Sequence, residues 1–86
     1  MYYTIMYAID GKRPDLYVNL DKRGNEYIVI VYDNGTQSVL EDVICNEYDL
    51  AVVAFYTKVA KYKMGEIITT SFGRGDFDMD WLDLLN

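Results

Sequence analysis

Tyr27-Ile28-Val29-Ile30-Val31-Tyr32 is six aromatic or β-branched residues in succession. Such a run is apolar on both faces of an extended chain, so it predicts the central strand of a sheet. Upstream, Leu16, Val18 and Leu20 alternate with Tyr17 and Asn19, the period of two of a strand with one buried face. Between these segments, Asp21-Lys22-Arg23-Gly24-Asn25 reads as a chain reversal. Further upstream, Tyr2 to Ile9 is a third strand-like run, closed by Asp10-Gly11-Lys12-Arg13-Pro14, a turn by its Gly and Pro. Downstream, Asp33-Asn34-Gly35 predicts a type I′ turn, because Asn-Gly accepts the positive φ that such a turn requires. Thr36 to Val39 is open to two readings, a returning strand or the approach to a helix.

The pattern then changes period. Ser38-x-x-Glu41 fits a capping box, and Asn46 offers a second helix start with Glu47 and Asp49 in its first turn. Tyr48, Ala51, Val52, Phe55, Val59 and Tyr62 recur at steps of three and four, one face of a helix. Lys58, Lys61 and Lys63 suit its C-terminal dipole, and Gly65 is placed as the residue after the cap. At about 100° per residue an adjoining arc carries Val53, Tyr56, Ala60 and Met64, leaving only the stripe of Thr57, Lys58 and Lys61 polar. A helix apolar over so wide an arc needs cover beyond one sheet: from the C-terminal segment, a second subunit or a partner. Glu66 to Phe72 reads as a last strand, closed by Gly73-Arg74-Gly75. The expected architecture is one α+β domain over residues 1–86: a small antiparallel sheet of about four strands, one long helix and a short acidic C-terminal helix.

Composition narrows the chemistry. The chain has 86 residues, of which 51% are hydrophobic, enough for one small core. It contains no histidine, so the commonest general base and the commonest metal ligand are both missing. Cys45 is the only cysteine; it forms no internal disulfide, lacks a histidine to activate it and is expected to be a structural residue in a reducing, cytoplasmic setting. No apolar run approaches the roughly 18 residues of a membrane span, and no basic region precedes the first apolar stretch as in a secretory signal. These features predict a non-catalytic binding protein that needs no cofactor and no metal.

Charge is unevenly spread. Residues 1–35 hold five acids and four bases and residues 36–65 four and three, whereas residues 66–86 hold five acids and one base. The last segment thus carries −4 of the net −6. As a helix, Asp76 to Asn86 would put Phe77, Trp81, Leu84 and Leu85 on one face, beside a stripe of Asp76, Asp80 and Asp83. Asp76, Asp78, Asp80 and Asp83 can imitate phosphates, occupying Lys/Arg sites that otherwise hold a nucleic-acid backbone. The same aspartates also serve as a helix cap and a solvated face. Asp76-x-Asp78-x-Asp80 opens like a calcium loop, but Trp81 stands where the loop needs glycine and the twelfth position does not exist. Trp81 with its leucines is the pattern of a helix that enters a groove, either in a partner or on the second arc of the long helix.

Nine tyrosines dominate the aromatic content; Tyr2, Tyr17 and Tyr32 are expected on an exposed sheet face. The sheet region has no basic excess to hold a nucleic-acid backbone, so direct nucleic-acid binding is not expected.

Gly24-Asn25-Glu26-Tyr27, leading into an apolar strand and then a helix, resembles the small phage-encoded anti-CRISPR proteins, as do the size, acidity and tyrosine content. The likeness covers about a dozen residues; this chain has no acidic run between its strands and its helix and keeps its acids at the C-terminus. The resemblance implies an inhibitor acting in the host cytoplasm that blocks a basic nucleic-acid channel. The resemblance assigns no individual residue; it is the charge pattern that makes Asp76, Asp78, Asp80 and Asp83, with Phe77 and Trp81, the expected contacts to a basic nucleic-acid-binding effector. The second reading is an intracellular adaptor or immunity-type protein, dimeric through Val53, Tyr56 and Ala60 of the long helix.

Overall fold

The computed structural model describes residues 2–70. Four strands of eight residues follow one another: β1 (Tyr2–Ile9), β2 (Leu16–Arg23), β3 (Glu26–Asp33) and β4 (Ser38–Cys45). The helix α1 (Tyr48–Tyr62) then leads to β5 (Glu66–Thr69). The sheet order is β4-β3-β2-β1-β5, antiparallel throughout. Thus β1 to β4 form a meander, and α1 crosses one face to deliver β5 beside β1. The α+β class is as expected, with five strands rather than about four. The middle strand is β2; β3, the YIVIVY segment, is interior but lies one place off centre.

The core lies between α1 and one sheet face. Met6, Ala8, Val18, Leu20, Val29 and Val31 project from β1, β2 and β3 against Ala51 and Phe55, and Ile5 joins them from a bulge in β1. The predicted helix stripe faces this core: Tyr48, Val52, Val59 and Tyr62 pack around the two fully buried residues. Tyr48 also meets Tyr27 edge-on, with ring centroids 5.6 Å apart, which fixes the start of α1 over β3. Cys45 is half-buried against this core, a structural position.

Local readings change where a side chain overrides the backbone signal. Ser38-x-x-Glu41 is not a capping box, because Ser38 to Cys45 is a strand supplying β3 with its outer neighbour. Asn46 precedes the N-cap position, which Glu47 occupies without a side-chain bond. Asp21, Lys22 and Arg23 belong to β2, and the reversal takes only Gly24 and Asn25. Gly24 has φ of 59°, at the place a type II′ hairpin turn gives to glycine. The Asp33-Asn34-Gly35 turn is not type I′: Asp33 Oδ1 accepts from the N–H groups of Gly35 (2.9 Å) and Thr36 (3.4 Å), and the positive φ falls on Gln37.

At its far end α1 closes on Lys63 rather than Gly65. Lys63 is left-handed (φ 52°, ψ 49°), and the N–H groups of Lys63 and Met64 bond to the carbonyls of Ala60 and Val59. Arg13, from the β1–β2 loop, donates to the carbonyls of Tyr62 and Lys63 while held by Asp10 at 2.9 Å. A guanidinium on the last carbonyls of a helix satisfies acceptors that have no intrahelical donor. Asp10, bonded by the Lys12 N–H and then by Arg13, has its carboxyl held below the ordinary aspartate value.

Candidate partner-binding surface

Among the described residues nothing packs over the outer arc of α1. Val53 is 64% exposed and Tyr56 49%, and Ala60 beside them is also exposed. All three project away from the sheet because they lie about 100–160° around the helix from the buried Phe55. The Tyr56 ring leans edge-on against Phe55 with centroids 5.5 Å apart, which braces it. These residues were expected from the sequence, because helical spacing alone separates the outer arc from the core stripe. Met64, placed on the same arc, is instead half-buried where the chain bends under Arg13.

The stripe of Thr57, Lys58 and Lys61 is not uniformly solvated. Lys58 and Lys61 reach down to β4, where Glu41 Oε1 accepts from Lys58 and Oε2 accepts from Lys61 (2.5 Å) and the Tyr62 hydroxyl. Three donors on one carboxylate tie the second half of α1 to the outer strand. The bond from Lys58, followed by those from Lys61 and Tyr62, lowers the Glu41 carboxyl from 4.5 to about 2. The same contacts raise Lys61 and Tyr62 above their ordinary values of 10.5 and 10.0.

This geometry predicts a pH signature. A carboxylate lowered in the folded state contributes stability above its unfolded value, about 4.5, and loses it as pH falls to about 2. The raised Lys61 and Tyr62 contribute below their ordinary values and lose that contribution only above about pH 10. Thermal melts of the wild type and Glu41→Gln should therefore differ by a constant amount between about pH 5 and 9, converging toward pH 2. A difference that stays unchanged down to pH 2 would show that Glu41 is not held by these donors.

The sequence left β4 open: Thr36 to Val39 reads as a returning strand or as the approach to a helix, and the strand runs from Ser38 to Cys45. Val39, Leu40, Val43 and Ile44 are all exposed on this outer strand. Their spacing suits a helix as well as a strand, and a strand's place at an edge is set by sheet order, which no local pattern records. On the face away from α1, Tyr17 pairs across from Tyr32 and both are half-buried, whereas Tyr2 is exposed, so only Tyr2 has the exposure expected.

Asp76, Phe77, Asp78, Asp80, Trp81 and Asp83 lie outside the described residues, as does the expected C-terminal helix. Among the described residues no group of three or more acids and cysteines is placed to hold a metal ion, and no helix is long and apolar enough to cross a membrane. An open groove of about 390 Å³ beside Arg13, Asp15, Asp33 and Tyr62 is lined largely by groups with structural duties: Arg13 holds the end of α1 and Asp33 its own turn. Compared with known proteins, the chain matches no family model, no curated protein and no solved structure.

Proposed function

We propose that the chain is a non-catalytic protein that binds a protein partner, with the outer arc of α1 as its apolar contact. The exposure of Val53 and Tyr56 on a helix already anchored by its opposite face carries this reading. A rigid aromatic ring with a polar tip, beside an aliphatic neighbour, is the composition of interface hot spots.

The net charge of −6 favours a partner with a basic surface. The chain then acts as an inhibitor that occludes the basic nucleic-acid-binding surface of a host defence effector, in the manner of anti-CRISPR proteins. Asp76, Asp78, Asp80 and Asp83 supply the phosphate-like charge, and Phe77 and Trp81 add apolar contact. The same arc also supports the alternative of an adaptor or immunity-type protein, with a second copy seated on Val53, Tyr56 and Ala60.

Three baits in nuclease-treated bacterial lysate test this: the wild type, Val53→Asp/Tyr56→Asp, and the quadruple Asp→Asn variant at 76, 78, 80 and 83. The wild type should retain a basic nucleic-acid-binding protein and displace its nucleic acid in a gel-shift assay. Each variant should bind that protein at least tenfold more weakly. Equal binding by the Val53/Tyr56 variant would remove α1 from the interface. Undiminished nucleic-acid binding by the captured protein at saturation would overturn inhibition and leave simple binding.

A further inference from the structure

We infer that β4 is a self-association edge, at which a second copy of the chain pairs its own β4 antiparallel with this one. Among the described residues no strand pairs with the outer side of β4, so the backbone donors and acceptors of alternate residues along its eight-residue length face outward. Protein edges of that length are normally blunted by charge, proline or brevity. The opposite edge strand, β5, is only four residues long and begins with Glu66. By contrast, β4 exposes Val39, Leu40, Val43 and Ile44, each between 38% and 56% accessible.

Of its two acids, Glu41 is spent internally. Glu41 is engaged by Lys58 and Lys61, so with Asp42 this flank holds two acids against two bases. A molecule of net charge −6 therefore offers a locally neutral edge, where two copies can approach without facing like charges.

The ladder also selects a register. Regular pairing of β4 with β3 runs from Glu41 to Cys45 and is interrupted by the extra residue Leu40, because Val31 faces Glu41 while Tyr32 faces Val39. Val43 is the midpoint of that regular run. An antiparallel pairing centred there sets Val43 against Val43 of the second copy, Asp42 against Ile44 and Glu41 against Cys45. No like charges then stand opposite, whereas a pairing centred on Asp42 or on Glu41 would set each acid against its own counterpart.

The helix adds to the seam. Leu50, Ala54, Lys58 and Lys61 share one flank of α1, and the two lysines show that this flank overhangs β4. Leu50, 57% exposed, stands at its open end. Together the five apolar side chains present roughly 400 Å² per copy, about half the share of a standard interface, which suits a dimer of micromolar rather than nanomolar affinity. The dimer leaves Val53 and Tyr56 open, so it is independent of the partner-binding reading.

Sedimentation equilibrium from about 10 to 500 µM tests the inference on the wild type, Val43→Lys and Val53→Asp/Tyr56→Asp, with far-UV circular dichroism to verify folding. The wild type should dimerise in the micromolar range, Val43→Lys should weaken that at least tenfold, and the α1 variant should match the wild type. Val43→Cys in a Cys45→Ser background should form a disulfide-linked dimer under mild oxidation, a readout that does not depend on the lysine variant folding. A wild type monomeric throughout the range would overturn the inference. So would a dimer broken by the α1 variant and left intact by Val43→Lys.

Discussion

Replacing Phe55 with alanine is expected to lower the melting temperature by on the order of 15–30 °C, the largest single-residue effect among the core positions of α1. Phe55 is the largest fully buried side chain among the described residues, and with Ala51 it is where α1 enters the centre of the core. Truncating a buried phenylalanine costs about 3–5 kcal/mol, the lost transfer of the ring plus the cavity it leaves. A domain of this size has a total of roughly 4–13 kcal/mol, so the variant sits near the edge of folding. No other helix covers this face among the described residues, so the cavity cannot be filled from a second layer. Thermal unfolding followed at 222 nm measures it, with Val53→Ala as the exposed control, expected within about 0.5 kcal/mol of wild type. A fall of under about 5 °C for Phe55→Ala would mean that α1 is held by something other than its buried stripe.

Phe55 was legible in the sequence because periodicity is local. The spacing from Tyr48 to Tyr62 names the buried face of α1, and the alternation of Leu16, Val18 and Leu20 names the buried face of β2. The outer arc of Val53, Tyr56 and Ala60 follows from the same angular arithmetic. Apart from the Asp33-Asn34-Gly35 turn, what failed was decided by residues distant in the chain. Val39, Leu40, Val43 and Ile44 are spaced like one helical face, yet the ladder with β3 splits them between the two faces of the sheet, with Val43 opposite Val29 and Ile44 opposite Ile28. Lys63 takes the left-handed position with Arg13 bonded to the neighbouring carbonyls, a contact across about fifty residues, and Gly65, just ahead of β5, donates its N–H to the Ile9 carbonyl. Glu41 was read as half of a local capping box, yet its partners lie 17 to 21 residues away on α1. The acidic residues from Asp76 to Asp83 stand out by charge alone, and the fold of residues 2–70 adds nothing to that signal.

Asp21 is the sharpest case of a distant partner, and Asp21→Ala is expected to cost about 2–3 kcal/mol. Its flanking lysine and arginine give it the look of a turn residue, but it lies in the middle strand, on the face away from α1, and is 3% exposed. The Tyr2 hydroxyl donates to its Oδ2 at 2.8 Å and the Thr4 hydroxyl to its Oδ1 at 2.7 Å. One carboxyl group thereby pins the first residues of β1 to β2 on the far side of the bulge, where Thr4 pairs with Asp21 and Met6 with Leu20. Burial, and then the bond to Asp21, raise the Tyr2 phenol above its ordinary value. The two donors are not equivalent. Tyr2 is half exposed and can turn its hydroxyl to water, whereas the half-buried Thr4 loses its acceptor with less water to replace it. Tyr2→Phe alone should therefore cost less than about 1 kcal/mol, and should cost nothing once Asp21 is already alanine. Asp21→Asn should fall between wild type and alanine, since its amide keeps one acceptor oxygen and turns a donor toward a donor. Urea denaturation of the four proteins and the Tyr2/Asp21 double variant closes the cycle. If Asp21→Ala cost less than about 1 kcal/mol with an unchanged m-value, the start of β1 would be held by its backbone ladder alone.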